Sequence, residues 1–230
     1  MNGDQPAKTG ASGTVTFLLT DIEGSTRLLQ DLGDRYVDLL ADHNRILRDV
    51  FSRFGGRESG NEGDSLFFIF PSARSAVAAA LEGQDRLAAQ AWPAGAEVKV
   101  RMGLHTGEIL SEEHGGVGID LHRAARIGAA AHGGQVVMSQ TTRELVGSDL
   151  PPEATLVELG SFQLKDLAHP QRLYQAVMPW MRTEFPPLRN VQTTPDNLPR
   201  VGSRFVGRER ELELAVAVLS SMRLVTITGP

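Results

Sequence analysis

Two acidic pairs stand out early in the chain. Asp21 and Glu23 close an apolar segment, and Glu62 and Asp64 flank a glycine further on. Carboxylates are hard oxygen donors. Two of them brought to one point bind a divalent cation such as Mg²⁺, which commonly uses one or two carboxylates and completes its shell with water and substrate phosphates. The tripeptide Gly24-Ser25-Thr26 follows the first pair directly. If it opens a helix, the unbonded backbone N–H groups of that first turn attract an anion. Carboxylates, a cation and a helix start make a cradle for a triphosphate. The same residues admit a plainer reading, in which Asp21 caps the helix and Gly63-Asp64 merely turns the chain. On residue chemistry alone both readings stand.

For the pairs to meet, the segments that carry them must be neighbours. Val15, Phe17 and Leu19 alternate with Thr14, Thr16 and Leu18, which suits a buried strand ending at Asp21. Ser25 and Thr26 are good helix starters. From Asp34 onward, Tyr36, Leu40, His43, Leu47, Val50 and Phe54 recur at helical spacing, and Gly55-Gly56 ends that stripe. Arg57 to Glu62 and Leu66 to Phe70 flank Gly63-Asp64 as a hairpin. Ser72 to Ala91 reads as an Ala-rich helix, Val98 to His105 as a period-two strand, and Gly118 to His132 as a helix. Val136 to Ser139 is strand, Thr141 to Val146 a short helix, and Thr155 to Phe162 and Arg172 to Val177 are closing strands. This order predicts an α+β, ferredoxin-like sandwich with helices on one face of a mainly antiparallel sheet. Asp21 and Asp64 would then face each other at one end of it.

The composition excludes several classes. The chain has 230 residues, 41% of them hydrophobic, a formal net charge of −5 and no cysteine. Disulfides, zinc–thiolate sites and thiol catalysis are out. The acidic balance speaks against a dedicated nucleic-acid binder. No apolar run is long enough to span a bilayer, and Met1 to Gly13 lacks the apolar core of a signal peptide, so the expected setting is the cytoplasm without a membrane partner. Residues 1–13 read as a flexible tail, 14–177 as one domain and 178–203, rich in proline, as a linker. Beyond it, Arg208 to Met222 reads as a helix and Leu224 to Thr228 as a strand.

Longer motifs add a resemblance. The run Thr16-Phe17-Leu18-Leu19-Thr20-Asp21-Ile22-Glu23-Gly24-Ser25-Thr26 resembles the opening of the class III nucleotide cyclases. Gly63-Asp64 after a long helix resembles their second metal position. Arg101-Met102-Gly103-Leu104-His105-Thr106-Gly107-Glu108 is similar to their central strand, and Leu121-His122-Arg123-Ala124-Ala125-Arg126 to their Asn-x-x-x-Arg helix. Leu164-Lys165-Asp166-Leu167 with Tyr174 resembles their last hairpin. The resemblance covers about residues 14–177. It implies an enzyme, an adenylate cyclase that converts ATP, with GTP as the alternative substrate, to a 3′,5′-cyclic nucleotide and pyrophosphate at sites shared by a head-to-tail homodimer. Two Mg²⁺ or Mn²⁺ ions per site would be held by Asp21, Asp64 and the Ile22 carbonyl. Gly24, Ser25, Thr26 and Lys165 would bind phosphates, and Arg126 and His122 would steady the transition state. Separately, Phe205-Val206-Gly207-Arg208-Glu209 and Leu224 to Pro230 resemble the beginning of a signal-transduction P-loop ATPase domain of the NB-ARC or AAA kind, with Gly229 as the first glycine of its phosphate loop. Residues 204–230 are accordingly expected to be a truncated N-terminal fragment of such a domain.

Departures from the pattern define a second reading. The base-reading Lys of the family falls at Gly60, its second base-reading residue near Gly115, and its ribose-orienting Asn at His122. The metal half of the site is intact and the base half is degenerate. The alternative function is therefore a catalytically degenerate module that binds nucleotide or dimerises within a larger ATPase-linked regulator. Among the remaining candidates, His43 is expected in the core, His105 on a sheet face near the site, and Asp120 and Arg123 in surface or interface polar contacts.

Overall fold

The computed structural model describes residues 13–108, 119–189, 191–193 and 217–218. β1 (Thr14–Ile22) is the buried strand expected from its apolar run. It gives way to α1 (Ser25–Leu32), whose cap is Gly24 in the left-handed region at φ 71°, with no side-chain capping bond. Glycine therefore makes this sharp entry, not the Ser and Thr hydroxyls. Gly33, at φ 55°, separates α1 from α2 (Arg35–Arg53). The inner face of α2 carries Tyr36, Leu39, His43, Leu47, Val50 and Phe51. Phe51 meets the rings of Phe68 and Phe70 edge-on, with centroids 5.0 and 5.9 Å apart.

β2 (Arg57–Glu62) and β3 (Ser65–Phe70) form the expected hairpin, turned at Gly63 with φ 61°. Ser72 caps α3 (Ala73–Ala89) by accepting the Ser75 N–H at 3.1 Å. β4 (Val100–Glu108), α4 (Ile119–Ala130) and β5 (Val136–Ser139) make the one parallel crossover, and α5 (Gln140–Val146) follows. The chain then adds β6 (Thr155–Leu164), β7 (Gln171–Val177) and β8 (Val191–Thr193).

The eight strands form a single sheet in the order β2-β3-β1-β4-β5-β7-β6-β8, antiparallel except between β4 and β5. The fold is thus the expected mainly antiparallel α+β sandwich. Its helices are not confined to one face. Val100, Met102, Leu104, Val136 and Met138 pack with α2 and α3 in the main core. Val137 faces the other way, into a second cluster with Ile127 and Ala130 of α4. Strand alternation sends neighbouring residues to opposite faces, so a strand apolar at every position needs a cover on both.

The expected linker over 178–203 also needs correction. Its first part packs on the domain: Met181 and Leu188 are buried, the Arg189 N–H donates to the Ala130 carbonyl at 2.9 Å, and β8 pairs with β6. The prolines of this segment are interleaved with apolar anchors, and these decide its placement. Residues 195–230 form a separate unit in which only Ala217 and Val218 are described, both helical. The helix and strand expected over 208–222 and 224–228 otherwise lie outside the described residues, as do residues 1–12.

Candidate active site

The edge of the sheet where β1 ends gathers both aspartates. β1 and β3 are antiparallel neighbours, with Thr20 opposite Leu66, which places the β2–β3 turn beside the end of β1. The Asp64 Oδ2 accepts the Ile22 backbone N–H at 2.9 Å. In return the Ser65 hydroxyl donates to Asp21 Oδ1 at 2.7 Å. The Asp64 carboxylate thus holds the end of β1 through its backbone, and the Asp21 carboxylate holds the start of β3 through the Ser65 hydroxyl.

A third group joins them. Arg101 lies directly across from Asp21 on β4, and its Nε donates to Asp21 Oδ2 at 2.7 Å. The Asp21 and Arg101 side chains are only 19% and 23% exposed, so solvent screens this pair less than a surface one. In the sequence Arg101 stands out only as a member of the strand motif. Its role as counter-ion depends on strand register, which no local pattern reveals.

The donor set suits a hard divalent cation. Asp21, Asp64 and the Ile22 carbonyl supply oxygens only, as Mg²⁺ and Mn²⁺ prefer. Among the described residues no group of three or more His, Cys, Asp or Glu side chains is placed to hold a metal by itself. A carboxylate offers about four lone-pair sites, so Asp21 can accept from Arg101 and still have an oxygen lone pair for a cation. Ser25 and Thr26 stand in the first turn of α1 next to these carboxylates, where Ser25 also hydrogen-bonds Tyr36.

The field of the pair reaches into the core beneath. Tyr36 is pushed up first by burial and then by the negative charge of Asp64, with a smaller push from Asp21. His43 is fully buried on α2, as expected for a core histidine, and its Nδ1 bonds the Asn44 Oδ1 at 2.9 Å. Burial lowers its pKa, outweighing the opposing pull of Asn44, Asp64 and Asp21.

The other expected site residues sit on a different element. α4 carries exposed His122 and half-buried Arg126 one turn apart. Arg126 pairs with Asp166 at 2.5 Å, next to the exposed Lys165 in the β6–β7 turn. Asp166 holds a left-handed φ of 63° there. Among the described residues no hydrogen bond or ion pair joins this cluster to Asp21 or Asp64. Gly60 sits at a bulge in β2, and a Cβ added there would meet nothing within 4 Å. Gly115 lies outside the described residues.

Asp120 and Arg123, expected in surface or interface polar contacts, are both partly exposed and pair with each other. Asp120, with its side chain 15% exposed, takes hydrogen bonds from Arg123 Nη1 at 2.7 Å and from the Glu108 N–H at 3.0 Å. His105 is buried and approaches the same carboxylate through Nε2 at 3.2 Å. A cleft of about 610 Å³ between α2 and α3, lined by Arg45, Asp49, Arg53 and Arg86, touches neither metal-site aspartate. No helix among the described residues is long and apolar enough to cross a membrane.

Comparison with known proteins agrees with this architecture. Residues 7–176 match the adenylate and guanylate cyclase catalytic domain. An uncharacterized protein of Mycobacterium tuberculosis is 37% identical over 204 residues, which span 87% of this chain and 69% of that protein. The adenylate cyclase of Podospora anserina is 30% identical over 164 residues, 60% of this chain but 8% of that much longer protein. Among solved structures, an adenylate cyclase of Trypanosoma brucei in its monomeric state superposes with a TM-score of 0.68 at 26% identity, covering 76% of this chain and 92% of that one.

Proposed function

The chain belongs to the adenylate and guanylate cyclase catalytic-domain family, and from that membership we propose that it converts ATP to 3′,5′-cyclic AMP and pyrophosphate in a homodimer. The observation that carries the proposal is the pair of cross-strand bonds at the end of β1, Ile22 N–H to Asp64 and Ser65 O–H to Asp21. Bound Mg²⁺ or Mn²⁺ would supply activation of the ribose 3′ hydroxyl and neutralisation of the charge that develops on the α-phosphate and the leaving pyrophosphate.

The chain's own groups then have the following tasks. Asp21 and Asp64 hold the cations, with the Ile22 carbonyl beside them. Arg101, once released from Asp21, presents a guanidinium to the phosphates from the adjacent strand. The first turn of α1, from Gly24 to Thr26, offers backbone N–H groups to the same anion. Arg126 stabilises the α-phosphate, Lys165 binds the terminal phosphates and His122 donates one hydrogen bond to the ribose. Following the head-to-tail pairing that the cyclase resemblance implies, we assign the α4 cluster and the aspartates to opposite subunits of each site, which gives a two-fold pair two equivalent sites.

The substrate is taken as ATP on the names of the relatives, which include an adenylate cyclase at 30% identity. Gly60 supports a second reading. With no side chain it cannot read a base, so the chain would bind nucleotide or dimerise without turnover, as the cyclase-like part of a larger protein that continues beyond residue 204 into an ATPase domain. A turnover assay of the purified chain with Mn²⁺ and either ATP or GTP decides between them, with Asp21→Ala as control. Cyclic AMP formed by the parent and not by the control supports the enzyme. No turnover, combined with tight Mg²⁺-dependent ATP binding by calorimetry, supports the second reading.

A further inference from the structure

The carboxylate of Asp120 stands at the end of a continuous line of buried hydrogen bonds. His105 Nε2 lies 3.2 Å from Asp120 Oδ1, and His105 Nδ1 lies 2.8 Å from the Ser139 hydroxyl. Ser139 meets Thr142 at 3.1 Å, Thr142 meets Thr106 at 3.1 Å, and Thr106 meets Thr16 at 2.9 Å. The line ties α4 to β4, then to the β5–α5 junction, and back through β4 to β1.

Its direction follows from donor and acceptor chemistry. A carboxylate only accepts, so His105 must carry its proton on Nε2. A neutral imidazole then has a bare Nδ1, which accepts the Ser139 O–H. Each hydroxyl has one hydrogen, so Ser139 accepts from Thr142, Thr142 from Thr106 and Thr106 from Thr16. All of these bonds point toward Asp120, and aligned bonds of this kind strengthen one another. Burial lowers the His105 pKa against the opposing effect of Asp120, which keeps the ring neutral. The carboxylate also fills a shaped notch. A Cβ on Gly107 would lie 2.1 Å from Asp120 Oδ2, and that same oxygen accepts the Glu108 N–H.

We infer that Asp120 is a positioning residue, pinning the first turn of α4 to the end of β4 and so fixing the helix face that presents His122 and Arg126. The kinetic part of this inference rests on the cyclase reading. The pinning itself does not.

Asp120→Asn tests it with almost no change in size, since the amide must turn a donor toward His105 and Arg123 or toward Glu108. Nitrogen NMR of the His105 ring is expected to show the Nε2–H tautomer in the parent and a shift toward Nδ1–H in the variant. Hydrogen exchange of the α4 amides is expected to quicken by about tenfold, the scale of a lost hydrogen bond to a charged group. If the parent turns over, kcat should fall about tenfold to a hundredfold with KM for the nucleotide nearly unchanged, because misplacement of a positioned group acts on the transition state. In an Arg126→Lys background the same change should cost much less, since both act through one helix face. An unaltered His105 tautomer together with unaltered α4 exchange would overturn the inference. A parent chain without turnover would instead overturn the cyclase reading, and the NMR and exchange results would still decide the role of Asp120. Gly107→Ala gives an independent check by pushing the carboxylate out of its notch. It should quicken α4 exchange in the parent and have no further effect beside Asp120→Asn, and equal effects in both backgrounds would count against the pin.

Discussion

At the end of β1 the two aspartates are held by strand neighbours in the same chain: Ser65, Arg101 and the Ile22 amide fix them through sheet register. On α4 the corresponding catalytic candidates stand on a solvent-facing surface, where His122 is exposed and Arg126 is held only by Asp166 in an exposed turn. Within one chain the aspartates have their strand partners, whereas His122 on α4 faces solvent. The contrast teaches that a sheet edge can preorganise charge without help, whereas a helix surface presents side chains whose partners come from outside.

The largest effect is expected at the self-contained half. Asp21→Ala and Asp64→Ala should each lower turnover by at least about a thousandfold, because each removes a charged ligand from the cations that would neutralise the developing phosphate charge. Activity that survives Asp21→Ala would break the comparison at its root. Next comes a test of the division itself. Arg126→Ala should also be severely impaired, yet mixing it with Asp21→Ala chains should restore about a quarter of parental activity, since half the random dimers are mixed and each mixed dimer has one intact site. No recovery on mixing would mean that both halves act within one chain. Smaller effects are expected on the degenerate positions. Gly60→Lys meets open space and should shift the preference between ATP and GTP, and His122→Asn should raise the rate by up to about tenfold.

The smallest effect concerns stability and pH. His43 and His105 are both lowered by burial below the ordinary value of about 6.5. The unfolded chain therefore binds more protons than the folded one once pH drops below that value. Their stabilisation is fully present above pH ~6.5 and declines as pH falls toward their folded values, by up to about 1.4 kcal/mol per pH unit for each histidine. Thermal melts from pH 7.5 to 5 should show this slope. His43→Leu should flatten it by the share of one histidine, and an unchanged slope would show that His43 does not titrate on unfolding.

Much of this was legible in the chain. The period-two runs of β1 and β4, the stripe of α2 and the Gly63-Asp64 turn are enough to expect Asp21 and Asp64 at one end of the sheet. What was hidden is what depends on register and on the third dimension. Arg101 faces Asp21 because β1 and β4 pair residue for residue, and nothing within the Arg101 segment announces that. Asp120 looks like an ordinary first-turn acid on a helix, and its burial follows from a notch that only the absence of a side chain at Gly107 provides. Met181 and Leu188 were overshadowed by the prolines around them, because proline reports backbone freedom and says little about whether neighbouring side chains find a core.

The contact between β4 and α4 bears on the evolution of this chain. A Cβ on Gly103 would fall 2.2 Å from the Gly128 nitrogen and 2.7 Å from the Ala124 carbonyl, so helix and strand touch backbone to backbone. Nothing can be gained at Gly103 by local repacking, because the atoms in the way are main chain. Drift at this place must wait for the whole helix to lift, and lifting it would carry Asp120, His122 and Arg126 away together. Variant libraries should accordingly show Gly103 frozen even in lineages where catalysis has lapsed, whereas Gly60, facing open space, should be free to take almost any residue.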